Sequence, residues 1–84
     1  MDKNLNHNNI DENMKDLSKL DSETAFKVKI QIALIWNAQR VMDIYPEKKG
    51  RFIEYIEERK NAIREILHIE HDEIWENGKK IFEV

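Results

Sequence analysis

AFKVKIQIALIWNAQRVMDIY, residues 25–45, is the stretch that decides the fold. Drawn as a helix, it carries two apolar stripes on roughly opposite sides. The first stripe contains Phe26, Ile30, Ala33, Leu34, Val41, Ile44 and Tyr45. The second contains Val28, Ile32, Ile35, Met42 and, toward its edge, Trp36. A helix that is apolar on two sides is normally covered on two sides, and so short a chain offers little to cover both.

The same segment also fits a strand. Apolar residues alternate strictly with their neighbours at Phe26, Val28, Ile30, Ile32, Leu34 and Trp36. This period of two, with its β-branched content, is typical of a strand that buries one face. However, no turn residue follows Trp36, and residues 37–40 favour continued helix. We therefore favour the helix and keep the strand as the alternative.

The rest of the chain predicts a mainly α fold, a small helical bundle of two long helices plus a short N-terminal helix. Residues 1–9 are rich in asparagine, which indicates a flexible arm, and residues 10–84 form one domain. Apolar spacing from Ile10 through Leu20 predicts the short helix, with Asp16 facing outward. Pro46 ends the central helix, and a second long helix is predicted from Arg51 to Ile69.

The C-terminus is ambiguous because Asn77-Gly78 is compatible with two local structures. It can cap a helix that passes through Ile74 in a left-handed turn, or it can form the two-residue turn of a hairpin. The hairpin would pair Ile74 with Ile81. We favour the helix cap slightly, and residues 81–84 are expected to be extended in either case.

Composition excludes several classes of function. The 84 residues include no cysteine and only two glycines, so thiol chemistry and glycine-rich phosphate loops have no basis. His68 and His71 share a helix face, but no further ligands are aimed at the same point, so we predict no metal, cofactor or catalytic site. The start of the chain lacks a secretory pattern, and we expect a cytoplasmic protein that does not enter a membrane.

These observations predict a protein–protein interaction module (a regulator, inhibitor or accessory subunit) that acts through residues 25–45. The partner is another protein or a second copy of the chain, with a homo-oligomer favoured. The predicted interface residues are Phe26, Val28, Ile32, Ile35, Trp36, Met42 and Arg59. Arg59 falls within the apolar stripe of the second long helix, so its stem packs while its charged group reaches out.

The strand alternative implies a different function. Lys27, Lys29 and Gln31 would then project from one side of the strand, followed by two helices with Gly50 before the second. That order resembles the ribbon-helix-helix regulators, in which paired strands of two subunits enter the major groove of DNA. The resemblance covers residues 26–67 and implies a dimeric DNA-binding protein. The proline-containing connector and the absence of a Ser or Thr cap before the second helix depart from that family's pattern.

Overall fold

The structure, a computed structural model, describes residues 16–84. A short 3-10 turn, Leu17–Lys19, leads into helix α1, Ser22–Ile44. A second 3-10 turn, Pro46–Lys48, leads into helix α2, Lys49–Leu67, and the chain ends in strands β1, Glu73–Glu76, and β2, Lys79–Glu83. The mainly α fold with two long helices is confirmed. The predicted arm and residues 10–15 of the short helix predicted from Ile10 to Leu20 lie outside the described residues, and the described part of that helix is only the 3-10 turn Leu17–Lys19.

Helix α1 contains residues 25–44 of the decisive segment, so the strand alternative for residues 26–34 is wrong. Asp21 begins the helix because its carboxylate accepts a hydrogen bond from the Thr24 amide at 3.1 Å. Tyr45 caps the end of α1 and Pro46 follows it, as predicted. One continuous helix wins over the alternating pattern because no turn residue interrupts residues 37–44.

Helix α2 ends at Leu67, two residues before the predicted end. His68 adopts a left-handed conformation with φ of 57°, which stops the helix, and its amide bonds the Arg64 carbonyl. The Arg64 guanidinium then donates to the Glu70 carbonyl at 3.0 Å and to the Glu57 carboxylate at 2.9 Å. These bonds tie the loop after α2 back to the helix.

The C-terminus is a hairpin, so the favoured helix cap at Asn77-Gly78 is wrong. Asn77 and Gly78 have φ of 54° and 80°, the pair of positive values that a two-residue hairpin turn uses. Glu76 pairs with Lys79 as the hairpin alternative required, but Ile74 pairs with Phe82 rather than Ile81. An irregularity after Ile74 shifts the register by one residue.

An apolar core joins the first 3-10 turn, the two helices and the hairpin. One face of α1 packs on α2, and the hairpin closes the core from a further side. The buried apolar residues are Leu17, Val28, Ile32, Ile35, Ala38, Ile56, Ile63, Leu67, Ile74, Phe82 and Val84. None of the helices formed by the described residues is both long and apolar enough to cross a bilayer.

Candidate protein interface

Helix α1 presents opposite sides to different surroundings. Its inner side lies in the core, where Val28 and Ile35 are fully buried and Ile32 is 2% exposed. The side turned away from the core is what we call the outer face. It consists of Phe26, Ile30, Ala33, Asn37, Val41 and Ile44. Phe26 and Ile35 are nine residues apart, so they lie about 180° apart around the helix axis.

The outer face is apolar and largely uncovered. Phe26 is 63% exposed, Ile44 is 61% exposed and Ile30 is 40% exposed. Tyr45 continues the face past the end of α1 and is 50% exposed. Single exposed apolar residues are ordinary on protein surfaces, whereas a row of them along one helix face is a candidate interaction surface.

A groove runs beside the N-terminal half of the outer face. Its volume is about 620 Å³. The lining residues are Leu17, Ser18, Leu20, Ser22, Ala25, Phe26, Lys29, Ile30 and Ala33. The 3-10 turn packs beside α1 and forms one wall of the groove, and Phe26 and Ile30 of α1 line the other side. An open apolar groove of this kind accommodates one or two large side chains.

The predicted interface residues of α1 divide between the two sides. Val28, Ile32 and Ile35 lie in the chain's own core, where they have no surface to offer, and Met42 packs partly buried against that core. Phe26 alone of the seven belongs to the outer face. The structure therefore places the accessible apolar surface on the first stripe of the sequence pattern rather than the second.

Trp36 lies at the border between the two sides. Its ring contacts the Phe82 ring edge-on, with 6.5 Å between centroids, so the hairpin covers part of it. It remains 49% exposed. Trp36 therefore anchors β2 to α1 while leaving surface next to the outer face.

Arg59 lies between the helices rather than on the outer face. Its guanidinium stacks on the Tyr55 ring at 5.4 Å and donates a hydrogen bond to Gln31 Oε1 at 3.2 Å. Its Nε is buried and has no hydrogen-bond partner among residues 16–84. The sequence predicted that this charged group reaches out, whereas the structure turns it inward, where it bridges α2 to α1.

The predicted nucleic-acid contacts do not form one surface. Lys27 and Lys29 are two residues apart in a helix, which separates them by about 200°. Lys29 Nζ pairs with the Glu76 carboxylate at 2.7 Å, Lys27 lies 3.5 Å from Glu23, and Gln31 is engaged by Arg59. Without the strand, the residues that supported the ribbon-helix-helix resemblance are dispersed.

The histidines are not on a common helix face either. His68 ends α2 in its left-handed conformation, and His71 lies in the loop that follows. Within residues 16–84, no group of three or more potential ligand side chains is close enough to hold a metal ion.

Asp16 was predicted to face outward, but it is a buried polar residue that is 8% exposed. One carboxylate oxygen accepts from the Ser18 amide at 2.9 Å, the Ser18 hydroxyl at 2.6 Å and the Asn77 amide at 3.0 Å. The other oxygen accepts from the Gly78 amide at 3.0 Å. Asp16 thus joins the 3-10 turn to the hairpin turn and holds Leu17 beside the groove.

These bonds lower the pKa of the Asp16 carboxyl to about 2. The Ser18 hydroxyl contributes most, burial opposes the shift, and the amides of Gly78, Ser18 and Asn77 add to it. The spacing Asp16-Leu17-Ser18 is typical of a side-chain-capped turn and was the available signal. Nothing local to Asp16 in the sequence points to a turn 61 residues away.

Comparison with protein-family models, with curated proteins and with solved structures finds no match for this chain.

Proposed function

We propose that this chain is a helical interaction module that binds a protein through the outer face of α1. The main supporting observation is that α1 has apolar residues on two opposite sides and that residues 16–84 bury only one of them. Phe26 and Ile44, at the two ends of the outer face, both leave more than half of their surface in water.

The gain from covering this face supports association. The exposed large apolar side chains on the outer face and next to it are Phe26, Ile30, Trp36, Ile44 and Tyr45. At the exposures given above, they leave on the order of 600 Å² exposed, which is the upper end of the patch size found on ordinary monomers. Apolar surface contributes about 25 cal/mol for each Å² buried, before the costs of association are subtracted.

The groove is better suited to binding a side chain than to catalysing a reaction of a small molecule. The groove is open and mostly apolar, with Lys29 and two serines as its polar lining. Such a surface orders a docked side chain by packing and offers few groups to move a proton or stabilise a developing charge.

The test compares two charge-adding substitutions on opposite sides of α1. Ile30→Asp places a carboxylate in the outer face. Gln39→Asp places the same charge in the same helix on an exposed position nine residues away, about 180° around the axis. We expect the first variant to lose its binding partner, whether self or another protein, and the second to keep it.

The measurements are light scattering after size exclusion, for self-association, and affinity capture from an extract of the native host, for another protein. Circular dichroism must show the same helix content in both variants. Equal binding by wild type, Ile30→Asp and Gln39→Asp would show that the outer face is not the interface.

A further inference from the structure

We infer that Arg59 and Gln31 form a binding site for a carboxylate at the seam between α1 and α2. We call this place the seam site. It is separate from the outer face, because Gln31 and Phe26 are five residues apart and lie about 140° apart around the axis of α1. The inference is therefore independent of the proposed function. Three observations support it: an unpaired charge, a fixed guanidinium and unused hydrogen-bond donors.

Arg59 makes no ion pair within residues 16–84. This is unexpected in a chain that has 17 acidic residues against 14 lysines and arginines. The side chains three and four residues from Arg59 on α2, and from Gln31 on α1, include no carboxylate. They are Tyr55, Ile56, Ala62 and Ile63 around Arg59, and Lys27, Val28, Leu34 and Ile35 around Gln31. The seam site is therefore positively charged and has no acidic neighbour on its own helices.

Arg64, on the same helix, has the counter-ion that Arg59 lacks. Its side chain is 17% exposed, and its guanidinium pairs with the Glu57 carboxylate at 2.9 Å. Arg59 is also partly buried, but it donates only to the Gln31 amide oxygen, at 3.2 Å. A partly buried charge without a counter-ion destabilises the fold, and a buried N–H without an acceptor, here Arg59 Nε, adds to that cost. A carboxylate beside the guanidinium would neutralise the charge.

The guanidinium of Arg59 is held in place before any ligand arrives. Its plane packs on the Tyr55 ring, 5.4 Å from the ring centroid, and the Phe52 ring contacts Tyr55 edge-on with 6.4 Å between centroids. Gln31 fixes the guanidinium from α1. An arginine that is already ordered loses little conformational freedom when a ligand binds, so more of the interaction energy appears as affinity.

Donors for a carboxylate remain on both helices. Nη2 of Arg59 makes no hydrogen bond within residues 16–84 and, unlike Nε, is not buried. Gln31 uses its amide oxygen on Arg59, which leaves its amide nitrogen as a donor. A carboxylate has two acceptor oxygens in one plane and can accept from both groups at once. Acidic side chains of proteins and free carboxylates share this chemistry.

The first experiment is an NMR titration of the ¹⁵N-labelled full chain at constant ionic strength. The probes are acetyl-Ala-Glu-Ala-amide, its Gln counterpart and sodium acetate, and the signal followed is the Nε–H of Arg59. We expect the Glu peptide to shift this signal to saturation and the Gln peptide to leave it in place. If the signal moves no further than that of the exposed Arg51, the effect is general screening and the inference is overturned.

The acetate arm distinguishes the sources of the carboxylate. Both results require that the carboxylate bind at Arg59. A Kd for the Glu peptide at least about tenfold below that for acetate indicates the side chain of a protein, because the peptide backbone then adds contacts. Equal Kd values indicate a free carboxylate as the ligand.

The second experiment fills the site from within the chain. Gln31→Glu places a carboxylate beside Arg59, so we expect a raised Tm and a Kd for the Glu peptide at least about tenfold higher. Gln39→Glu adds the same charge at an exposed position of α1 and should leave that Kd within about twofold. Equal binding by these two variants would contradict the seam site.

A third pair of variants tests the guanidinium itself. Arg59→Lys keeps the charge but loses the planar pair of donors, so binding of the Glu peptide should weaken at least about tenfold. Arg51→Lys is the matched control on α2 and should bind as wild type does. The side-chain amide signals of Gln31 report binding in both variants, and circular dichroism checks their helix content. Unchanged binding by a folded Arg59→Lys would overturn the inference.

Discussion

At the residue scale, the position with the greatest local influence is Asp16. Four hydrogen bonds converge on one buried carboxylate, and three of their donors are backbone amides that would otherwise lack partners at the two turns. Hydrogen bonds to a charged acceptor are stronger than those between neutral groups. The negative charge of Asp16 is therefore part of what holds the hairpin against the first turn.

We predict that Asp16→Asn lowers the free energy of unfolding by about 1.5–3 kcal/mol at neutral pH, because the amide carries no charge and offers one acceptor oxygen in place of two. Urea denaturation followed by circular dichroism measures this. Glu65→Gln, an exposed carboxylate neutralised on α2, is the matched control and should change stability by less than about 0.5 kcal/mol.

The lowered pKa of Asp16 predicts that the folded protein loses stability in acid. The pKa of Asp16 is about 2 in the folded chain against an ordinary value of 3.8, so its contribution is complete above the ordinary value and is lost as pH falls toward 2. Asp21 and Glu57 also have lowered pKa values, from hydrogen bonds to Thr24 and Arg64 respectively, and add to the slope. Asp16→Asn should therefore lose less stability than wild type between pH 5 and pH 2. Equal losses of stability in wild type and Asp16→Asn would contradict the lowered pKa of Asp16.

At the scale of elements, the hairpin depends on its two turn residues. Asn77 and Gly78 both have positive φ, and asparagine is one of the few residues with a side chain that tolerates this conformation. The turn also directs the Asn77 and Gly78 amides toward Asp16. Turn geometry and the long-range bond therefore favour the same structure, which explains why the hairpin forms rather than a continued helix.

We predict opposite effects for the chain's two glycine-to-alanine substitutions. Gly78→Ala should destabilise by about 1 kcal/mol, because φ of 80° strains a residue with a Cβ, although no atom lies within 4 Å of the new group. Gly50→Ala, with equal space around it inside α2, should stabilise by about 0.5–1 kcal/mol. Thermal unfolding measures both, and a stabilised Gly78→Ala would contradict the hairpin turn.

At the scale of the whole molecule, α1 contributes one side to the core and the opposite side to the candidate interface. Its inner side contributes Val28, Ile32, Ile35 and Ala38 to the buried cluster, which α2 and the hairpin complete. The first 3-10 turn, α2 and the hairpin together cover the inner side. The outer face is left uncovered because no further element is available to it within residues 16–84.

This division predicts that Ile35→Asp and Ile30→Asp fail in different ways. Ile35 is completely buried, so a carboxylate there lacks solvation and we expect a loss of more than about 4 kcal/mol, enough to unfold so small a domain. Ile30→Asp should keep its helix content and lose only association. Circular dichroism with size exclusion separates the two, and a folded Ile35→Asp would contradict the assignment of the inner side.

The amino-acid sequence alone determined the helical class, the break at Pro46 and the presence of two apolar stripes on α1, because these follow from local spacing and from proline's fixed geometry. Spacing is symmetric between the stripes, however, so it says nothing about which one the chain covers. Only the tertiary structure decided that, through the packing of α2 and the hairpin on the side of Ile35. The choice between cap and hairpin at Asn77-Gly78 likewise depended on Asp16, a partner 61 residues away. Contacts between residues so far apart leave no local pattern in the sequence. Such contacts bury the side of α1 that contains Ile35 and leave Phe26, Ile30 and Ile44 exposed as the candidate interface.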